Sequence, residues 1–237
     1  MSNENPPPST GPESPFPKLL KDFMTKNRGQ VTFLEHEVKG LFKEMGFAVP
    51  KGRFLAKGKV ILPLTDLTFP LVAKFSSSKV SSKSNVGGVK MGIKDGDELG
   101  RAIHELMLIE AAEGVLVEEM APQGVEVIVG GVIDNQFGPV VMFGLGGVFV
   151  ELFRDVAFGL APLTPGDALW LIQQTKGYSL LEGYRGNPPL DITALIHIIV
   201  AVSKIMATGV IKEIDLNPVA LYPKGSLILD GKMAAMR

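Results

Sequence analysis

The chain has 237 residues, enough for one large domain or two small ones with a substantial buried core. Lysine and arginine total 24 against 25 acidic residues, so no basic field is on offer to nucleic acid or to an anionic membrane. The absence of cysteine excludes disulfides, thiolate catalysis and cysteine-ligated metals, and fits a cytoplasmic location.

Residues 1–17 carry Pro6, Pro7, Pro8, Pro12, Pro15 and Pro17 among Ser, Asn and Glu. Such a stretch buries too little apolar surface to order itself, so a flexible tail is expected, without the basic and apolar regions of a signal peptide. A short helix is expected over 18–26. Thr32-Phe33-Leu34-Glu35 has capping-box spacing for a helix with Phe33, Leu34, Val38, Leu41, Phe42 and Met45 as apolar positions, stopped at Gly46. Phe69-Pro70-Leu71-Val72-Ala73-Lys74-Phe75 reads as a buried strand, residues 76–88 as a Ser/Gly-rich loop and residues 89–93 as a returning strand. Asp95 caps a helix with Glu98 at its third position and Leu99, Ile103, Leu106 and Met107 as its stripe.

Val115-Leu116-Val117-Glu118-Glu119-Met120 is a strand running into a turn, followed by a hairpin over 125–143 whose turn spans 134–139. Gly144-Leu145-Gly146-Gly147 precedes a strand expected over 148–152. Thr164-Pro165-Gly166-Asp167 starts a helix with Pro at its first position and an acid at its third. Asp191 opens the last helix, whose Ile192, Leu195, Ile196, Ile199, Val200 and Met206 mark it as largely buried. Its most apolar run, residues 194–202, is about half the length needed to span a bilayer. The pattern is α+β with antiparallel hairpins prevailing, and a seam near 114–118.

Near the C-terminus, Glu213-Ile214-Asp215-Leu216-Asn217-Pro218 alternates polar and apolar residues. On a strand, Glu213, Asp215 and Asn217 share one face, while Ile214 and Leu216 turn to the core. Pro223-Lys224-Gly225 supplies turn chemistry, and the returning strand brings Asp230 roughly opposite Asn217. Two carboxylates and a carboxamide oxygen form a hard set of the kind Mg²⁺ prefers when shared with phosphates. A polar solvent face is the competing reading.

Lys74, ending an apolar strand, needs a partner if buried, and a phosphate is the economical one. The loop containing Gly87 and Gly88 offers backbone N–H groups to phosphates; a plain surface hairpin is the alternative. Glu118, Glu119 and Glu126, at strand edges, suit a ribose or simply solvent. Gly144 to Gly147 could equally serve a bend. His36, His104 and His197 fall in helices without ligand-like companions, which favours packing or solvent roles. Gly183-Tyr184-Arg185-Gly186 is a loop with an arginine suited to an anion, or an ordinary helix stop.

In this order, several stretches resemble an ATP-grasp domain: Pro70-Leu71-Val72-Ala73-Lys74, Asn85-Val86-Gly87-Gly88-Val89, Val117-Glu118-Glu119-Met120, the run from Gln136 to Gly147, Gly183-Tyr184-Arg185-Gly186, and Glu213 to Pro218. More narrowly they resemble the β subunit of nucleoside-diphosphate-forming acyl-CoA synthetases, a group including ADP-forming acetyl-CoA synthetase and, more distantly, succinyl-CoA synthetase. The likeness covers about residues 30–237. It implies an ATP-grasp fold whose two lobes, residues 18–116 and 117–237, grip ATP or ADP between antiparallel sheets. Lys74 would be catalytic and hold phosphates, with Gly87, Gly88, Gly146 and Gly147 also on the cofactor. Glu118, Glu119 and Met120 would form the adenine-side hinge, Glu126 would take the ribose, and Asp215, Asn217 and Asp230 would hold Mg²⁺. The implied reaction couples formation or cleavage of an acyl-CoA from its carboxylate to ATP, through an acyl phosphate and a phosphohistidine. The phosphohistidine and the CoA-binding half belong to an α subunit, in an α2β2 assembly. One departure bears on this. Many relatives carry His-Lys-[Thr/Ser]-Asp-Val-Gly-Gly in the loop, where this chain has Ser82-Lys83-Ser84-Asn85-Val86-Gly87-Gly88. A serine hydroxyl needs a base to act as a nucleophile, whereas neutral imidazole does not. A non-catalytic ATP-binding regulatory or scaffold module derived from the same family is therefore the alternative.

Overall fold

The computed structural model describes residues 16–59, 63–80, 83, 86–147 and 154–236. The Pro-rich stretch through residue 15, the departures at Ser82 and Asn85, and the strand expected over 148–152 lie outside the described residues.

Helix α1 (Phe16–Lys26) buries Leu20 and Phe23. Phe16 and Pro17, assigned to the tail on composition, instead open this helix, where a proline lacking its N–H costs nothing. Strand β1 (Thr32–Phe33) and helix α2 (Glu35–Glu44) follow. Thr32 is not the helix cap that its spacing predicts. It pairs with Ala234 in a β ladder, and Leu34 takes the N-cap position, its N–H donating to the Glu37 carboxylate at 2.7 Å. A tertiary ladder has outranked a local motif.

A four-stranded antiparallel sheet contains β2 (Gly52–Ala56), β3 (Leu71–Ser76), β4 (Val89–Ile93) and β5 (Gly114–Glu119), in the order β2-β5-β3-β4. Helix α3 (Gly96–Met107) covers it with Leu99, Ile103 and Leu106; Asp95 caps the helix by accepting the Glu98 N–H at 2.8 Å. The larger, seven-stranded sheet joins β1 to β6 (Val125–Asp134), β7 (Gly138–Leu145), β8 (Val156–Leu160), β9 (Ile211–Leu221), β10 (Ser226–Ile228) and β11 (Lys232–Ala235). Its order is β1-β11-β9-β6-β7-β8, with β10 also on β9, and every pairing is antiparallel. Strand β8 has no counterpart in the sequence reading, and the β6–β7 turn is tighter than expected, since Pro139 already pairs with Ile133.

Helices α4 (Pro165–Gln173), α5 (Tyr178–Leu181) and α6 (Ile192–Ala207) pack with the inner face of the larger sheet. Thr164 and Asp167 cap α4 reciprocally. Along α6, Leu195, Ile198, Ile199, Val202 and Met206 are inaccessible, each worth about 1.5–3 kcal/mol of burial. Among the described residues no helix is long and apolar enough to cross a membrane.

Two hydrophobic cores result, and their membership differs from a division at residue 116. Strand β5 belongs whole to the four-stranded sheet, so a boundary between 116 and 117 cuts through it. Phe33, Val38, Leu41 and Phe42, early in the chain, pack into the larger core with the C-terminal elements. The reason is the amphipathic face of α2: its apolar stripe finds the β9–β11 side of the molecule, not the sheet that follows it in sequence. Helix α2 thereby stands between the two sheets.

Candidate functional site

The stripe of α2 that faces inward includes Glu35 and Lys39 beside Val38 and Phe42, because residues three and four apart share a helix face. Both charged residues are under 5% exposed. Around them, six charged side chains interlock. Lys39 Nζ lies 2.7 Å from Glu35 and 2.7 and 2.8 Å from the two Glu118 oxygens. Lys74 Nζ lies 2.9 Å from Glu35 and 2.8 Å from Glu118, and also donates to the Leu229 carbonyl. Lys83 donates to Glu35 and, at 2.7 and 2.8 Å, to both oxygens of Asp230. Three carboxylates and three ammoniums thus join α2, the four-stranded sheet, the β3–β4 loop and the C-terminal segment.

An isolated charge here would be prohibitive, and the pKa shifts show how it is offset. Burial alone would raise the Glu35 carboxyl, but Lys74, Lys39 and Lys83 together hold it far below the usual carboxylate range. Burial pulls the Lys74 ammonium down, and Glu35, Glu118 and Asp230 more than reverse it. Lys83 is likewise raised, by Glu35 and Asp230 against burial. Lys39 alone is lowered: burial, aided by repulsion from Lys74, outweighs its two glutamates.

On the other side of the cluster lies the β9 hairpin. The outer positions Glu213 and Asn217 are exposed and Asp215 is partly buried, while Ile214 and Leu216 are in the core. The pairs Ile228–Val219 and Lys232–Asp215 share one register, which sets Asp230 opposite Asn217; the Asp230 N–H donates to the Pro218 carbonyl at 3.3 Å. Against β6 the same strand carries a bulge: Val127 faces Val219 and Val129 faces Leu216, so Asn217 and Pro218 together oppose Ile128. A proline with no N–H to offer the ladder belongs at such a bulge. Burial pushes the Asp215 carboxyl up, and the nearby Asp230 and Glu213 carboxylates add to this against the opposing pull of Lys232. Asp215, Asn217 and Asp230 therefore present two carboxylates and a carboxamide, with one carboxylate under-neutralised and another gripped by an ammonium. Such a set suits a hard divalent cation. Among the described residues no group of three or more His, Asp or Glu side chains that could hold a metal ion occurs.

Residues 24–234 match the family model of the ATP-grasp domain. The chain is 39% identical over 225 residues to the ADP-forming acetate–CoA ligase I subunit beta of Pyrococcus furiosus, covering 91% of this chain and 96% of that subunit. This chain belongs to the ATP-grasp subunits of the ADP-forming acyl-CoA synthetase family. A solved structure of the dinucleotide-forming acetyl-coenzyme A synthetase 1 of Ca. Korarchaeum cryptofilum, in complex with coenzyme A, Ca-AMPCP and HgCl+, superposes with a TM-score of 0.80 at 40% identity, covering 94% of this chain and all of that one. A further structure of that enzyme contains Mg-AMPPCP with a phosphohistidine segment pointing towards the nucleotide binding site. Other relatives are longer: the chain spans 30% of the length of an ADP-forming acetate–CoA ligase II of Archaeoglobus fulgidus, at 39% identity over 201 residues.

Within this ATP-grasp domain several expected site residues have partners other than those expected. Lys74 was expected to meet a phosphate. An ammonium has three hydrogens, and Glu35, Glu118 and Leu229 accept all three. Glu118, read as an edge carboxylate for ribose, is 1% exposed and saturated by lysines, because the inner face of β5 meets α2. Glu119 and Met120 do lie at the end of β5, but their backbone N–H groups donate to the Lys51 and Pro70 carbonyls at 2.8 and 3.0 Å. Glu126 is exposed, and its carbonyl accepts the Gly146 N–H at 2.7 Å; a Cβ on Gly146 would sit 2.9 Å from that oxygen. Gly147 has φ +61°. Gly87 has φ +63°, and the Gly88 N–H donates not outward but to the Lys83 carbonyl at 2.8 Å, curling the loop so that Lys83 enters the cluster. Beside it an open cavity of about 310 Å³ runs between the sheets, lined among others by Ser76, Ser77, Ser78, Lys83, Glu213 and Lys232.

Glu35, Lys39 and Lys83 escaped the sequence reading. The signal for the first two was present: a Glu–Lys pair at i, i+4 on the same stripe as Val38 and Phe42 predicts buried, partnered charges. Lys83 had no such periodic signature. His36 stacks on Phe54 with ring centroids 3.9 Å apart, and its Nδ1 has no partner among the described residues, as fits a packing role. Arg185 lies over its own neighbour Tyr184, 5.3 Å from the ring centroid.

Proposed function

We propose that this chain is the nucleotide-binding β subunit of an ADP-forming acyl-CoA synthetase, active with a CoA-binding α subunit that carries a phosphohistidine, assembled as α2β2. Nucleotide lies between the two sheets and the phosphoryl group passes to or from the partner's histidine, driving formation or cleavage of the thioester. The β9 hairpin carries the reading: its register sets Asp230 opposite Asn217, and Asp230 meets Lys83 of the β3–β4 loop directly, so oxygen donors and an ammonium stand together as phosphoryl transfer requires. Asp215, Asn217 and Asp230 are the residues that would hold Mg²⁺, which neutralises charge on the transferring group. Lys83 lines the cavity together with Lys79 and Lys232, and of the three clustered lysines it is the one that would meet a phosphate there. Lys74 reaches one only by exchanging an acceptor, and otherwise fixes the cluster. Glu119, Met120 and Glu126 flank the connection between sheets, Gly146 allows the close approach to Glu126 there, and Gly87 and Gly88 shape the β3–β4 loop that carries Lys83. The near-complete coverage of the Pyrococcus subunit supports the two-subunit arrangement. The test is D230A in the complex reconstituted with the partner subunit. Nucleotide-dependent thioester formation falls by about 100-fold or more if the reading is right, and undiminished activity overturns it.

A second reading rests on Ser82, which stands where the family resemblance implies a relay histidine. On that reading the chain binds nucleotide as a scaffold without transferring phosphate. Incubation of the complex with γ-labelled ATP separates the two, since only the synthetase places label on a partner histidine.

A further inference from the structure

Lys83 holds both oxygens of Asp230 at 2.7 and 2.8 Å, so the edge of this carboxylate that would chelate a cation is already taken by one. Among the described residues this is the only ion pair Asp230 makes. Glu35, the other partner of Lys83, differs: it retains Lys39 and Lys74 whether Lys83 is present or not. Lys83 can therefore leave without stranding Glu35, but not without stranding Asp230.

The charge count points the same way. The exposed Glu213 and Lys232 cancel, and Asp215, near enough to Asp230 to feel its charge, then makes four carboxylates (Glu35, Glu118, Asp215 and Asp230) to the three ammoniums of the cluster (Lys39, Lys74 and Lys83). Exchanging the single charge of Lys83 for a divalent ion balances them. The exchange needs movement of a side chain only, because the Lys83 carbonyl is pinned by the N–H groups of Val86 and Gly88 at 3.2 and 2.8 Å. The ammonium released on the cavity side then meets whatever anion lies there.

We propose that Lys83 is the built-in counter-ion of the divalent-cation site: the ammonium and the metal occupy Asp230 in alternation, and nucleotide phosphate receives Lys83 when the metal enters. This rests on the reading of Asp215, Asn217 and Asp230 as the metal set. It makes metal entry and nucleotide binding mutually dependent, and the dependence is reciprocal. Without nucleotide, the metal must displace an ion pair that has nowhere equivalent to go.

The measurement is Mn²⁺ binding to the full-length, nucleotide-free protein, followed by the loss of free Mn²⁺ signal in electron paramagnetic resonance. It is made for the wild type, K83M and K83Q, each with and without D230N; K83Q keeps a hydrogen-bond donor in case K83M folds poorly. Removing the charge of Lys83 is expected to tighten Mn²⁺ binding at least about tenfold, and D230N to abolish the gain. ADP binding at saturating Mn²⁺ should weaken in the same two variants, because the released Lys83 is then missing from the phosphate. Mn²⁺ binding no tighter in K83M and K83Q than in the wild type overturns the exchange, while sensitivity to D230N alone leaves the metal set intact. Tightened binding that is indifferent to D230N places the ion elsewhere and overturns the metal reading itself.

Discussion

Replacing Lys39 by methionine tests whether the charge cluster is structural. The substitution keeps most of the aliphatic stem and removes an ammonium 2.7 and 2.8 Å from the Glu118 oxygens and 2.7 Å from Glu35. Two effects oppose. Burial already penalises this ammonium, which is why its pKa lies below the usual lysine range, so losing it relieves that penalty. Against this, Glu118 and Glu35 are left sharing Lys74 in the interior, with only Glu35 also reaching Lys83. Removing one partner of a buried pair costs about 3–5 kcal/mol, and the remaining lysines place this case at the lower end, about 3 kcal/mol. For a chain of this size that lowers Tm by about 6–12 °C. Thermal melts of K39M, E118Q and K39M/E118Q close a double-mutant cycle; the pair should recover stability, with a coupling of about 1–3 kcal/mol. A K39M melt within about 2 °C of the wild type, with no coupling, refutes a structural role for the cluster.

The pH dependence of stability should carry the mark of Glu35. Its folded pKa is depressed, so its contribution is fully present above the unfolded value of about 4.3 and is lost as pH falls below that towards the folded value. Denaturant titrations between pH 7 and pH 3 should show E35Q losing less stability on acidification than the wild type, and parallel curves would refute the assignment. Gly146→Ala places a methyl 2.9 Å from the Glu126 carbonyl oxygen and should cost about 1–3 kcal/mol in urea unfolding, since backbone rather than a mobile side chain must yield; a neutral effect would mean the β6–β7 end relaxes freely.

Most of the fold was legible because it rests on periodicity. The stripes of α3 and α6, the caps at Asp95 and Thr164, and the alternation along β9 are local signals that packing respected. The misreadings arise where a distant partner decides. Thr32 left its capping role to pair with Ala234, some two hundred residues away in sequence. Glu118 could be placed at the end of a strand, but not under α2, since nothing local says that a helix preceding β2 will cover β5. The site divides in the same manner: the Asp230–Asn217 register follows from turn chemistry, while the partners of Lys74 follow from how two sheets and a helix meet.

That meeting point is built of charges although an apolar joint of similar volume would hold as well or better, since replacing buried ion pairs by packed hydrophobic groups is often neutral or stabilising. What an apolar joint lacks is exchange. Lys74 donates to the carbonyl of Leu229, the residue immediately before Asp230, so the strand bearing Lys74 and the hairpin bearing the proposed cation ligands are tied at adjacent positions. A change of partner at Asp230 is therefore felt through Leu229 at Lys74, and through Glu35 and Glu118 at α2. An ammonium network can redistribute among its carboxylates when one site gains a metal or a phosphate; packed leucines cannot. If K83M tightens metal binding while K39M leaves it unaltered, the network has one movable member and a fixed remainder, which is the division that the three lysines' partners imply.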